Sequence, residues 1–132
     1  MTPERFAQGL TFAQYLAQMR TNRERFEQRM ADALITSADR EALQGRKLKV
    51  LVITEDWCGD ALVGFPAVAR LVEGAPDVEM RVFLRDANPD VMDQYLKRGL
   101  YRTIPVIVFF DEQMNELARY MERQEVVTEL RT

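Results

Sequence analysis

The stretch Val50-Leu51-Val52-Ile53-Thr54-Glu55-Asp56-Trp57-Cys58-Gly59-Asp60-Ala61 joins an apolar, β-branched run to the start of a helix-like segment. Leu48 to Ile53 is nearly continuous in apolar residues, the pattern of a strand buried on both faces. The only cysteine, Cys58, therefore stands at a strand-to-helix junction. A sulfur at a helix N-terminus meets backbone N–H groups without intrahelical partners and the positive end of the helix dipole. Both favour the thiolate, which is the nucleophilic form. Ala61 occupies the position at which a Cys-x-x-Cys pair beginning at Cys58 would place its second sulfur.

Beyond Cys58 the texture alternates between helix and strand signals. Asp60 to Val72 carries Leu62, Phe65, Val68, Ala69 and Val72 at helical intervals, with Pro66 as a predicted kink. Val78, Met80, Val82 and Leu84 alternate as a second strand. Asn88-Pro89 predicts an N-cap with proline at the first helical position; Val91, Met92, Tyr95 and Leu96 form the inner stripe and Gly99 closes the helix. Ile104 to Phe110 reads as a third strand, Asp111 to Asn115 as a turn, Glu116 to Met121 as a fourth strand, and Val126, Val127 and Leu130 as a short terminal helix.

Before Lys47 the sequence reads as helical. Phe12, Tyr15, Leu16 and Met19 recur at i, i+3, i+4 and i+7 behind the capping box Thr11-x-x-Gln14. Phe26, Met30, Ala33 and Leu34 form a second stripe, and Ser37 is a candidate cap for a short helix that Gly45 stops. These aromatic and Met residues read as core. The element order is helices followed by β-α-β-α-β-β-α. A strand–helix–strand crossover implies parallel pairing and a short turn between the last two strands an antiparallel hairpin, so the expected fold is α/β, a four-stranded mixed sheet flanked by helices. Residues 1–46 are expected to form a helical extension packed on the α/β domain of residues 47–132, in a single globular unit.

Composition narrows the function classes. A chain of 132 residues with 47% hydrophobic content supports one core and is short for two domains. The net charge is −3, and Lys and Arg are scattered, so no basic stripe marks a nucleic-acid partner. No apolar run approaches the ~20 residues that span a bilayer. Met1-Thr2-Pro3-Glu4-Arg5 lacks the charged-then-apolar pattern of a signal peptide, and with a single cysteine the expectation is a cytoplasmic protein without membrane contact. The sequence has no histidine, which excludes Cys–His catalysis and His-ligated metals; one thiol with scattered carboxylates makes a poor zinc site, so no metal is expected.

This order, with Trp57-Cys58-Gly59 ending the first core strand and Thr103-Ile104-Pro105 opening the third, resembles the thioredoxin superfamily over roughly residues 47–131. The N-terminal helices look like an extension that some bacterial thioredoxin-like proteins carry. The resemblance implies a thioredoxin-like fold in which Pro105, beside Ile104, is the cis proline that faces the active cysteine and helps present backbone groups to a substrate chain. It makes Cys58 the candidate catalytic residue, with Trp57, Gly59, Asp60, Ala61, Ile104 and Pro105 as the candidate substrate-binding residues. Trp57 matches the aromatic residue before the nucleophile, where shielding the sulfur, touching a partner and simple packing are all open. Gly59 is expected to allow a tight turn that leaves the sulfur accessible. Asp60 suits a helix cap, yet its charge beside Cys58 disfavours the thiolate, and Glu55 and Asp56 add to that opposition. Arg102 is either a compensating charge or a solvated loop arginine.

Two departures from the family pattern act on one step. Ala61 removes the resolving thiol, and Val52 stands where thioredoxin places a buried acid that assists proton transfer in the second half of its cycle. An internal resolution of a mixed disulfide is closed to this chain; a single attack on a disulfide is not. Two readings follow. One is a monothiol disulfide oxidoreductase that acts on a disulfide-containing or glutathionylated protein or a small thiol, with glutathione or another small thiol as co-substrate and no resident cofactor. The other is a non-catalytic thioredoxin-fold binding module for a protein partner. A thiol peroxidase or oxidation sensor fits less well, because the threonine or serine and arginine usual around such a sulfur do not show the expected pattern.

Overall fold

A computed structural model describes residues 1–59 and 61–121. Its elements run α1 (Pro3–Phe6), α2 (Phe12–Gln18), α3 (Arg23–Asp32), α4 (Ser37–Leu43), β1 (Leu48–Thr54), α5 (Ala61–Glu73), β2 (Val78–Leu84), α6 (Pro89–Met92), β3 (Val106–Phe110) and β4 (Glu116–Tyr120). The terminal helix expected around Val126, Val127 and Leu130 lies outside the described residues, as does Asp60. No helix among the described residues is long and apolar enough to cross a membrane.

Local chemistry accounts for most boundaries. Thr11 and Gln14 form the predicted capping box of α2, each side chain bonded to the other's backbone N–H. At α4 the cap is Thr36 rather than Ser37: Thr36 Oγ1 accepts from the Asp39 N–H and the Asp39 carboxylate accepts from the Thr36 N–H. Asp39 supplies the acidic partner that such a box needs three residues on, which moves the start by one position. Leu34 falls beyond the end of α3 and is exposed, so the second stripe stops earlier than its spacing suggested.

The sheet order is β2-β1-β3-β4. β1 pairs in parallel with β2, Val50 opposite Met80, as the crossover through α5 demands. The second crossover corrects the sequence reading, because β3 lies antiparallel on the other side of β1, with Val52 opposite Ile107. The connection is not the helix expected from Asn88 to Gly99. α6 is one turn, Asn88 makes no side-chain cap, and its amide instead donates to the Leu84 carbonyl while its oxygen accepts from Arg5. After it the chain reverses at Arg98 and Gly99, both with positive φ, inside a bridge between Lys97 and Tyr101. The hairpin of β3 and β4 is antiparallel as expected. On the outer edge of β2, Leu10 exchanges two backbone hydrogen bonds with Val82, so the N-terminal segment covers that edge.

Every residue of β1 except Lys49 is buried. One face holds Val50, Val52, Val82 and Ile107 under Leu62, Phe65 and Ala69 of α5 and Tyr15, Met19 and Phe26 of the N-terminal helices. The other holds Leu51, Ile53, Phe83, Val106 and Val108 against Val91, Met92, Tyr95, Ile104 and Met121. On the first face Phe12, Tyr15, Phe26 and Phe65 form an aromatic cluster, the Phe26 and Phe65 rings meeting edge to face at 5.0 Å. Phe12, Tyr15, Met19 and Phe26 thus share one core with α5 and the sheet. Phe26→Ala is expected to cost about 3–5 kcal/mol. Urea unfolding followed by far-ultraviolet dichroism and Trp57 fluorescence should show one lowered, coincident transition; separate loss of helix and of Trp57 signal would contradict the shared core.

Candidate active site around Cys58

β1 ends at Thr54, and α5 begins at Ala61. The Cys58 N–H donates to the Glu55 carbonyl at 3.2 Å, and the N–H groups of Ala61 and Leu62 donate to the carbonyls of Cys58 and Gly59 at 3.2 and 3.1 Å. The helix therefore begins immediately behind the sulfur. Cys58 is half-buried, and its thiol lies 3.7 Å from the Ile104 carbonyl oxygen, toward which it donates. The Ile104–Pro105 peptide is cis and both residues are buried, so the start of β3 forms one wall beside the thiol. Gly59 is exposed, with no positive φ and open space where a Cβ would stand. Its turn is one that other residues also adopt, so the expected conformational need for glycine is corrected; accessibility remains its evident property. Ala61 is buried at the first turn of α5.

The acidic residues before the sulfur are engaged elsewhere. Asp56 Oδ2 accepts from the Arg20 N–H at 2.7 Å and the Thr21 N–H at 3.3 Å, and the Asn22 amide donates to the Asp56 carbonyl. Glu55, nearly buried, accepts from the Asp86 N–H at 2.9 Å. These carboxylates tie the loop to α2–α3 and to the end of β2. Arg102 pairs with Asp93 at 3.1 Å across an exposed surface, which is the loop role of the two left open. Such a pair contributes little in solvent.

Trp57 is half-exposed, and the guanidinium of Arg85 stacks on its ring, 5.1 Å from the centroid. Sequence inspection did not single out Arg85. The signal was its position one residue past the end of β2, where the parallel register that sets Leu84 opposite Thr54 delivers the next side chain to the loop after β1. Tyr15, read only as core, reaches the same end of the sheet, its hydroxyl facing Thr54. A cleft of about 560 Å³ lined by Met30, Arg40, Arg70 and Glu73 lies at the opposite end of α5, away from Cys58, and Arg70 there donates to the carbonyls of Met30 and Ala31 at the end of α3. The arrangement around Cys58 thus offers one accessible sulfur, a backbone carbonyl and cis proline beside it, and an exposed aromatic ring.

The sequence model of one protein family, described as Thioredoxin, matches residues 9–132. Among solved structures, the chain is similar to a protein of unknown function from Pseudomonas aeruginosa, at 27% identity and a TM-score of 0.73, over 94% of this chain and 78% of that one. It is likewise similar to an HIV epitope-scaffold, at 27% identity and a TM-score of 0.75, over 95% of this chain and 79% of that one. No curated protein matches.

Burial, with the Asp56 charge adding, pushes the Tyr15 hydroxyl well above its ordinary 10.0, and burial pushes Tyr95 up to about 12. Both groups hold their protons more tightly folded than unfolded, so their contribution is complete below the unfolded value and is lost as pH rises above it. Urea midpoints should be insensitive to these groups through neutral pH and fall above about pH 10. Tyr15→Phe should flatten that alkaline decline; an unchanged slope would remove Tyr15 as its source.

Proposed function

This chain belongs to the thioredoxin family, and from that premise we propose that it is a thiol–disulfide oxidoreductase that works through Cys58 alone and is returned to its reduced state by an external thiol. Family and fold support thiol-oxidoreductase chemistry in general. The observation that carries the finer reading is the pairing of a half-exposed Cys58 against the Ile104 carbonyl with Ala61 at the place of a second sulfur. Trp57, Gly59, Asp60, Ala61, Ile104 and Pro105 are the proposed substrate contacts.

In the forward step the Cys58 thiolate attacks the glutathione sulfur of a glutathionylated protein. A new S–S bond joins Cys58 to glutathione, the old S–S bond breaks, and the protein leaves as a thiolate that takes up a proton from water. A second glutathione thiolate then attacks the glutathione sulfur held on Cys58. Oxidised glutathione departs and Cys58 is regenerated as the thiolate; over both steps one glutathione thiol and one glutathionylated protein become oxidised glutathione and a protein thiol. Val52, fully buried among apolar side chains, supplies no proton at either stage, so exchange with solvent at the half-exposed sulfur serves instead.

Reduction of a glutathionylated peptide should rise with glutathione concentration and drop to background in Cys58→Ser. Insulin reduction driven by thioredoxin reductase should remain near background in the parent and increase in Ala61→Cys. If Cys58→Ser keeps full activity, or the parent runs the reductase-driven assay at ordinary thioredoxin rates, the single-sulfur mechanism is wrong. Inactivity of the parent in both assays would favour the binding-module reading.

A further inference from the structure

We propose that Arg85 is the positioning residue of this site, fixing Trp57 and the segment that leads into Pro105 at the spacing a disulfide-bearing partner needs to reach Cys58; this rests on the reading of Cys58 as a disulfide-attacking thiol. The Arg85 N–H donates to the Thr54 carbonyl at 3.1 Å, which anchors its backbone at the end of β1. Its side chain then makes three contacts at once. The guanidinium lies over the Trp57 ring, Nη1 donates to the Arg102 carbonyl at 3.2 Å, and Nε donates to Asp86 at 2.9 Å. Asp86 in turn gives its N–H to Glu55. One planar cation therefore joins the residue before the sulfur to the chain three residues ahead of the cis proline.

Guanidinium chemistry suits this place. A planar fork presents its face to an aromatic ring while its edge donates to a carbonyl and a carboxylate, whereas an ammonium concentrates its charge at one point and has no face to stack. The Arg85 side chain is only 23% exposed, although Trp57 is 52% exposed. Restricting a half-exposed ring before a partner arrives lowers the ordering cost of binding. The adjacent ion pair with Asp86 does not explain the arrangement, since pairs at this exposure contribute little by themselves.

Trp57 is the only tryptophan, so its emission reports the stack directly. In Arg85→Ala, with folding checked by urea titration, Trp57 fluorescence anisotropy should fall. The rate of Cys58 with oxidised glutathione should drop about two- to tenfold, as expected for loss of one cation–π contact and one hydrogen bond. The rate with iodoacetamide, which alkylates the sulfur without a partner chain to be held against Trp57 or Pro105, should stay at the parent value. Arg85→Lys should restore only part of the loss. Unchanged anisotropy in Arg85→Ala, or equal slowing with both reagents, would overturn the proposal. Should the parent fail to react with oxidised glutathione while still being alkylated, the reading of Cys58 fails, and the anisotropy comparison still decides whether Arg85 holds the ring.

Discussion

Burial of β1 on both faces is the constraint from which the rest of the molecule follows. Burying each of Val50, Leu51, Val52 and Ile53, all fully enclosed, contributes about 1.5–3 kcal/mol, whereas a hydrogen bond contributes about 0.5–1.5. Apolar burial therefore sets where the strand lies, and polar contacts adjust what hangs from its end. Because both faces must be covered, helices are required on each side. α5 and the N-terminal helices cover one, and α6 with the irregular segment through Tyr95 and Ile104 covers the other. The sulfur sits where this central strand runs out.

The loop after β1 is held from three directions. Asp56 receives backbone N–H groups from the α2–α3 connection, Glu55 receives one from the end of β2, and Arg85 bridges Trp57 to the chain before Pro105. The N-terminal helices thus have a part in the site as well as in the core, since Asp56 grips the connection between two of them.

The departures from a two-cysteine site are consistent with one another. Ala61 is buried in the first turn of α5 and Val52 is enclosed in the core, so both positions are filled with hydrocarbon. The Ile104 carbonyl lies 3.7 Å from the thiol, and Trp57, next to Cys58 in the chain, is half-exposed. On the proposed reading, chemistry at this sulfur draws its second reactant from outside.

Sequence by itself determined the elements whose signals are local. The continuous apolar run of β1, the alternation in β2, the Thr11–Gln14 box and the Trp-Cys-Gly junction each depend on neighbours within one or two turns of chain, and each stands where it was read. It did not determine the direction of β3, because a helical stripe from Val91 to Leu96 is also what a single turn followed by an irregular buried segment looks like when Tyr95 must reach the core. Nor did it reveal which backbone groups Glu55 and Asp56 accept from, or that Arg85 covers Trp57. Those facts join residues dozens of positions apart, and their partners are set only when β1 and β2 pair in register and the N-terminal helices close over α5. Local chemistry chooses the conformation of a segment; which side chains share a site is decided by tertiary packing.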